Sequence, residues 1–264
     1  MSSIFVEYLL AAFLIGGVWV AAATLIAERA GSRLGGLIIG LPSTTVVSFA
    51  FIAASQSTSA AVASTTVFPL VYGVTAIMLS AYYAISSRRG FIAGLASSML
   101  AWVCLASVIV LLHFGIMEAM GGYLLLFIVS LYVFTLAPKA RHTAGANHKS
   151  TYGQLILRGV FSGAIVSASV LGSHIAGPAI GGALTALPAS FIASLIILDR
   201  ADGPEFARSA AKPMMLSGML TSVAYGLSVR FLYLQLGVIS GTVASFAIAI
   251  AVSVPAYYII RKFG

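Results

Sequence analysis

Hydrophobic residues run along this chain in nine long stretches, separated by short polar segments. Each stretch is about 20 residues long, which is the length of a helix that crosses the ~30 Å hydrocarbon core of a bilayer. The stretches are continuously apolar and do not alternate, a pattern that favours helices over membrane strands. They predict an all-α integral membrane protein with nine transmembrane helices, over residues 8–27, 34–54, 66–86, 91–113, 119–137, 155–173, 179–198, 213–232 and 236–260.

The polar segments between the stretches carry most of the basic residues and indicate an orientation. With the N-terminus outside, 13 of the 14 Lys and Arg residues fall on the inner side, and Arg230 is the exception. Arg158 lies just inside the sixth span and can snorkel to the inner side. The positive-inside rule therefore predicts an N-out, C-in protein of the cell membrane (plasma or inner membrane) that passes through it many times.

Composition narrows the class of protein further. Of the 264 residues, 60% are hydrophobic and only 8% are charged, whereas a soluble domain has about 25% charged residues. The net charge of +8 comes from basic residues scattered in short gaps, so no basic stripe for nucleic acid is expected. Cys104 is the single cysteine, and a disulfide framework is therefore excluded.

One phrase occurs twice in the chain. Residues 31–48 and 177–194 both follow the pattern G-x3-G-G-x4-L-P-x5-S, at an offset of 146 residues. The offset superimposes spans two to four on spans seven to nine, and the fifth span stands between the copies. We predict a four-helix repeat in 1–114, a linker helix and inside loop in 115–150, and a second repeat in 151–264. Because one extra helix precedes the second copy, the two repeats would insert in opposite directions, as in many secondary transporters.

The repeated phrase would break two transmembrane helices. Pro42 and Pro188 each lack a backbone donor, which is expected to free the carbonyls of Ile38 and Leu184 for another partner. Small residues permit close helix packing, and nearby hydroxyls can line a site. Two interpretations stay open, namely packing only or a substrate site. The candidate substrate-binding residues are Gly40, Pro42, Ser43, Thr44, Thr45, Ser48, Thr185, Pro188, Ser190 and Ser194, and the candidate packing residues are Gly35, Gly36, Gly181 and Gly182.

The acidic residues restrict the chemistry. All six lie at span ends or in loops, so a proton relay at the bilayer midplane is not expected. The chain offers no pattern typical of a catalytic or metal site, which predicts a non-enzymatic protein without a cofactor or bound metal. A site without fixed charge suits a neutral or amphipathic solute, or an ion held by carbonyls and hydroxyls.

The second copy of the phrase also carries a resemblance. Its Gly181, Gly182, Leu187 and Pro188, together with the four-span length of each half, resemble the short GlpM-like membrane proteins of bacteria. Those are single four-helix units linked to envelope polysaccharide production. The resemblance implies a compact repeat and no catalytic residues. The inverted repeats are also similar to those of drug/metabolite carriers.

These observations predict a transporter or facilitator of a small neutral or amphipathic solute. Its site would lie between the broken helices two and seven, at the bilayer midplane. The alternative is a membrane scaffold or assembly subunit in envelope biogenesis. A carrier predicts a water-filled cavity beside Pro42 and Pro188, whereas a scaffold predicts a dry, tightly packed crossing. The expected partners are the bilayer and a small-molecule solute, with no nucleic acid, and the oligomeric state is open.

Overall fold

The computed structural model describes residues 3–29, 41–138 and 151–263. Every regular element in these ranges is an α-helix. We number them in chain order as α1 Ser3–Arg29, α2 Ser43–Ser55, α3 Thr58–Ser64, α4 Phe68–Leu112, α5 Ile116–Leu136, α6 Tyr152–Ala176, α7 Pro178–Thr185, α8 Ala189–Asp202 and α9 Pro204–Phe263.

Several helix starts follow from local sequence. The Ser57 side chain accepts a hydrogen bond from the Ala60 amide at 3.0 Å and caps α3. Thr151 and Gln154 form a reciprocal capping box at the start of α6, with distances of 2.9 and 3.4 Å. These side chains satisfy amide groups that the first turn of a helix leaves without partners.

The prediction of an all-helical fold is confirmed for the described residues, and their long apolar helices are those expected of a multi-pass membrane protein. By length and composition, seven helical segments of the described residues could cross a bilayer, and α2 is apolar but shorter. Residues 34–40 of the predicted second span lie outside the described residues. The predicted eighth and ninth spans fall in a single segment, Pro204–Pro255. The count of nine spans and their orientation stay predictions.

Glycine divides each of the two longest helices into two arms. Gly90 in α4 has φ 81° and ψ 173°, and Gly237 in α9 has φ 75° and ψ 176°. A side chain would be strained at such positive φ values. The arms of α4 are therefore Phe68–Arg89 and Phe91–Leu112, which agrees with the predicted turn after the third span.

The core lies between the first arms of α4 and α9 and the helices α2 and α8. Phe49 of α2 contacts Phe68 of α4 and Tyr225 of α9, with ring centroids 5.2 and 6.5 Å apart. Most residues of Phe68–Arg89 and Pro178–Asp202 are buried, whereas α1, α5 and the second arms expose many large apolar side chains. The exposed apolar surface is the one that lipid would cover.

Helices α1 and α6 pack antiparallel at a glycine-rich crossing. Phe5 stacks on His174 with ring centroids 3.9 Å apart, and the Ser167 hydroxyl donates to the Leu9 carbonyl at 2.8 Å. Further along, a Cβ added at Gly17 would lie 2.8 Å from the Gly159 carbonyl oxygen, and one at Gly163 would lie 2.3 Å from the Phe13 carbonyl oxygen. At the offset of 146 residues, Gly17 corresponds to Gly163 and Phe13 corresponds to Gly159. The two contacts are therefore equivalent to each other under the repeat.

Candidate functional site

The repeated Leu-Pro pair forms the same turn in both copies. Pro42 has φ −77° and ψ 57°, and Pro188 has φ −81° and ψ 51°. The Ser43 amide donates to the Leu41 carbonyl at 2.8 Å, and the Ala189 amide donates to Leu187 at 2.8 Å. These values define an inverse γ-turn centred on proline. Each turn leads directly into a new helix, α2 or α8, and in the second copy it also follows the end of α7.

The prediction that Pro188 frees the Leu184 carbonyl is wrong. That carbonyl accepts a hydrogen bond from the Leu187 amide at 3.1 Å, because the chain tightens into a final short turn before the proline. The Ala186 carbonyl instead receives a bond from outside the segment, from the Thr75 hydroxyl of α4 at 3.2 Å. Thr75 also accepts a bond from the Trp102 indole N–H at 2.9 Å. The corresponding Ile38 lies outside the described residues.

A small polar cavity lies beside the two turns. Ser43 comes from the start of α2, and Ser190 and Ser194 come from the start of α8. Its volume of about 40 Å³ is room for two or three water molecules, at roughly 15 Å³ for each. The structure thus brings together three of the predicted site residues from the two copies of the phrase. The remaining lining residues are Val20, Ala23, Thr24, Arg158, Phe191 and Met214.

Arg158 makes this cavity electrostatically different from the predicted one. Its side chain lines the cavity, and its Nη1 lies 3.5 Å from the Thr24 hydroxyl oxygen. The expectation of a site without fixed charge is therefore wrong for the cavity that the structure forms. No acidic side chain lines the cavity among the described residues. A guanidinium group next to three serine hydroxyls can donate several hydrogen bonds to one acceptor group.

An apolar cavity adjoins the polar one and shares Ala23 and Ser43 with it. Its volume is about 190 Å³, and its walls include Trp19, Leu41 and Phe246. The rings of Trp19 and Phe246 meet edge to face with centroids 6.1 Å apart. The combined space therefore has one polar end and one apolar end.

The other predicted site residues lie elsewhere. Among them, Thr44, Thr45 and Ser48 of α2 are buried, and the Ser48 hydroxyl has no hydrogen-bond partner among the described residues. The Thr185 hydroxyl donates to the Gly181 carbonyl of its own helix at 2.8 Å. Pro42 and Pro188 are buried at the turns and do not line the polar cavity.

The predicted packing glycines of the second copy lie at close approaches between elements. A Cβ on Gly181 would lie 2.5 Å from the Ser173 Cβ of α6, and one on Gly182 would lie 2.0 Å from the Ser64 carbonyl oxygen of α3. Substitution at Gly182 would therefore require the backbone to move. The corresponding Gly35 and Gly36, and the candidate site residue Gly40, lie outside the described residues.

Sequence reasoning missed three polar side chains near the phrase. Arg158 is expected from the sequence to snorkel from its place near a span end, although it lies six residues inside α6, and no role is predicted for Thr24, which lies five residues before the end of α1. Gln56 was also missed: its amide donates to the Val170 carbonyl at 3.3 Å and accepts from the Ser173 hydroxyl at 3.1 Å. A polar side chain within a turn or two of the end of an apolar span is the signal that could have found Thr24 and Gln56.

Comparison with known proteins adds one finding. Residues 9–119 match the model of a family described as a protein of unknown function (DUF3147). No curated protein and no solved structure matches the chain. The matched region runs from α1 to the start of α5, so it spans most of the predicted first repeat, and over these residues the chain is similar to that family.

Proposed function

We propose that the protein is a membrane transporter or facilitator of a small amphipathic solute, which binds between the two proline-broken segments. The observation that carries this proposal is the polar cavity where Ser43 of one copy meets Ser190 and Ser194 of the other. A structure built only for packing would fill this space with apolar side chains, because polar groups in lipid are costly without partners.

The two halves are proposed to be inverted relative to each other. The first helices of the two repeats, α1 and α6, run antiparallel, and a shift of 146 residues exchanges the contacts of Gly17 and Gly163. Reciprocal contacts of this kind are expected around a twofold axis. An axis in the membrane plane would place the two Leu-Pro turns on opposite sides of one binding site.

Arg158 refines the solute that this site would accept. Its guanidinium and the serine hydroxyls are suited to a hydrogen-bond acceptor, such as a carboxylate or another oxygen-rich group. The adjoining cavity at Trp19 and Phe246 suits an apolar body. An amphipathic solute with an acceptor end fits both parts, and a purely apolar solute would leave the polar end unused.

The conformation of the structure is proposed to be a closed one. The polar cavity of about 40 Å³ and the adjoining apolar cavity of about 190 Å³ are together still smaller than the ~300 Å³ or more typical of a small-molecule site. Binding therefore requires α2 and α8 to move relative to α1 and α6. The inverse γ-turns at Pro42 and Pro188 are the natural hinges, because each places a non-helical turn directly before a helix that lines the cavity.

A double variant tests this function. The purified chain is first screened by thermal shift against small organic acids and their neutral amides, and the stabilising compounds are then assayed for flux in proteoliposomes. We expect Ser43→Ala with Ser190→Ala to lower the flux about tenfold and to leave the melting temperature of the unliganded protein nearly unchanged, since each change removes one hydroxyl from the cavity.

The matched control is Ser97→Ala with Ser240→Ala, which removes two exposed serines from the second arms of α4 and α9. This variant should transport at the normal rate. Equal flux in both double variants would contradict the proposed site, and the absence of any flux across the panel in the unmodified protein would contradict transport of this solute class.

The alternative is a scaffold in envelope biogenesis, for which the phrase serves packing. The close approach of Gly182 to the Ser64 carbonyl favours it, because small residues bring membrane helices together. A protein that binds and moves nothing in the assay, yet loses its fold on Gly182→Ala, would fit the scaffold and not the carrier.

A further inference from the structure

A second groove lies where the end of the first arm of α4 and the end of α5 come together. It has a volume of about 350 Å³ and is separate from the cavity at Arg158. Its walls combine basic and apolar side chains, which include Ile85, Arg88, Arg89, Val133, Leu136 and Pro138.

The charge of this groove is positive. Arg88 and Arg89 are exposed at the last turn of the first arm of α4. No acidic side chain lines the groove among the described residues.

The groove is held in shape by a buried network beneath it. Arg208 of α9 is almost fully buried, donates to the Pro138 carbonyl at 3.2 Å and pairs with Glu205 at 2.8 Å. Its guanidinium also lies over the ring of Tyr83, at 5.2 Å from the centroid, and Tyr83 packs on Phe134 at 4.8 Å. These contacts tie the end of α5 to α4 and α9, so the spacing of the two walls is fixed by packing.

We propose that this groove binds an anionic phospholipid of the surrounding bilayer. The phosphate group lies between Arg88 and Arg89, which can donate several hydrogen bonds to its oxygens. One acyl chain lies along Val133 and Leu136, and Leu136 is 68% exposed. Basic pockets between membrane helices, at the level of the lipid head groups, are typical of such sites.

The apolar wall decides between a lipid and a free phosphate ion. A soluble ion gains nothing from Ile85, Val133 or Leu136, and it would leave them against water. A lipid covers them with its chain and places its phosphate at the basic end. The proposal is independent of the transport function, because none of the residues that line the groove also lines the polar cavity.

The test uses the full-length chain, purified in detergent and mixed with phosphatidylglycerol or phosphatidylcholine of matched chains. Native mass spectrometry measures how much of each lipid stays bound. The unmodified protein should retain phosphatidylglycerol in preference to phosphatidylcholine. Arg88→Gln with Arg89→Gln should lower phosphatidylglycerol binding by about 10- to 30-fold, since each basic group near anionic lipid contributes roughly a fivefold gain in binding.

The matched control is Arg29→Gln with Arg200→Gln, which removes two exposed arginines at other helix ends and changes the net charge by the same amount. It should keep the preference for phosphatidylglycerol. Leu136→Gln should weaken the binding of both lipids, because it places a polar group in the path of the acyl chain.

Three results would overturn the proposal. The first is equal retention of both lipids by the unmodified protein. The second is an equal loss of phosphatidylglycerol in the two double variants, which would show a general charge effect. The third is displacement of the bound lipid by millimolar inorganic phosphate with no effect of Leu136→Gln, which would indicate a site for free anions.

Discussion

Thr75 shows how much a single side chain can do in an apolar bundle. Its hydroxyl is buried, donates to the Ala186 carbonyl next to the second Leu-Pro turn, and accepts from the Trp102 indole. It therefore links both arms of α4 to the broken helix. The hydroxyl provides a partner for a carbonyl near the proline, which lipid cannot do.

Thr75→Val should destabilise the protein. Valine keeps the volume of threonine but leaves the Trp102 N–H and the Ala186 carbonyl without this partner, at a cost of about 1–2 kcal/mol. We expect a melting temperature several degrees lower in detergent. The control is Thr135→Val, since Thr135 is exposed and bonds only within its own helix, to the Tyr132 carbonyl. Equal melting temperatures for the two variants would show that the Thr75 link contributes nothing.

The sequence identified part of the site at the level of side chains. Ser43, Ser190 and Ser194 were predicted from the repeated phrase and line one cavity. Arg158 could not be predicted, because a basic residue near the end of an apolar span usually snorkels to the interface. Its position depends on the crossing of α1 and α6, which brings it to Thr24, and local sequence does not specify such a crossing.

Helices α1 and α6 can cross this closely only because the residues at the crossing are glycines, which have no side chain. Gly163→Ala would place a Cβ 2.3 Å from the Phe13 carbonyl oxygen, and backbone cannot give way as a flexible side chain can. We expect the two helices to be forced apart, with a loss of folded protein in size-exclusion chromatography. Gly153→Ala is the control in the same helix, since nothing lies within 4 Å of that position, and this variant should remain folded.

If Gly163→Ala elutes and melts like the unmodified chain, the close crossing of α1 and α6 is wrong. Gly17→Ala provides an internal comparison, because its Cβ would lie 2.8 Å from the Gly159 carbonyl oxygen. The smaller overlap at Gly17 should produce the milder defect of the two. A reversed order would indicate that the crossing point is shifted along the helices.

The helices themselves were largely predictable, but their internal repeat was only partly so. Gly90 and Gly94 correspond to Gly237 and Gly241 at an offset of 147 residues, and the two breaks share almost the same φ and ψ. At the offset of 146 that aligns the Leu-Pro phrase, this match disappears. The second copy therefore has one extra residue between the phrase and the glycine break, and the sequence comparison at a single offset does not detect the repeated break. In the structure, the glycine break recurs as regularly as the proline turn.

The similarity of the two halves extends to how the arms fold back. A Cβ on Gly94 would meet the Ser86 Cβ at 2.8 Å, and one on Gly241 would meet the Tyr233 Cδ1 at 2.8 Å. Each glycine thus lets the second arm pack on a residue eight positions earlier. The same break and the same close contact thus occur at matched positions in the two predicted repeats, and the family match over residues 9–119 lies almost entirely within the first of them.

The relative orientation of the two halves can be tested with one pair of matched positions. Arg89 and Gln235 are 146 residues apart, both are exposed, and each lies at the end of a first arm. If the halves are inverted, these equivalent ends lie on opposite sides of the membrane. The exposed native Cys104 is first replaced by serine, and Arg89→Cys and Gln235→Cys are then made singly.

We expect a membrane-impermeant maleimide to label only Gln235→Cys in intact cells and to label Arg89→Cys only after the membrane is opened. This follows from the basic residues near position 89, which belong on the inner side. Labelling of both cysteines from one side would show that the two halves are parallel. Ser43 and Ser190 would then no longer be related by an axis in the membrane plane, and the proposed binding site between two inverted halves would lose its physical basis.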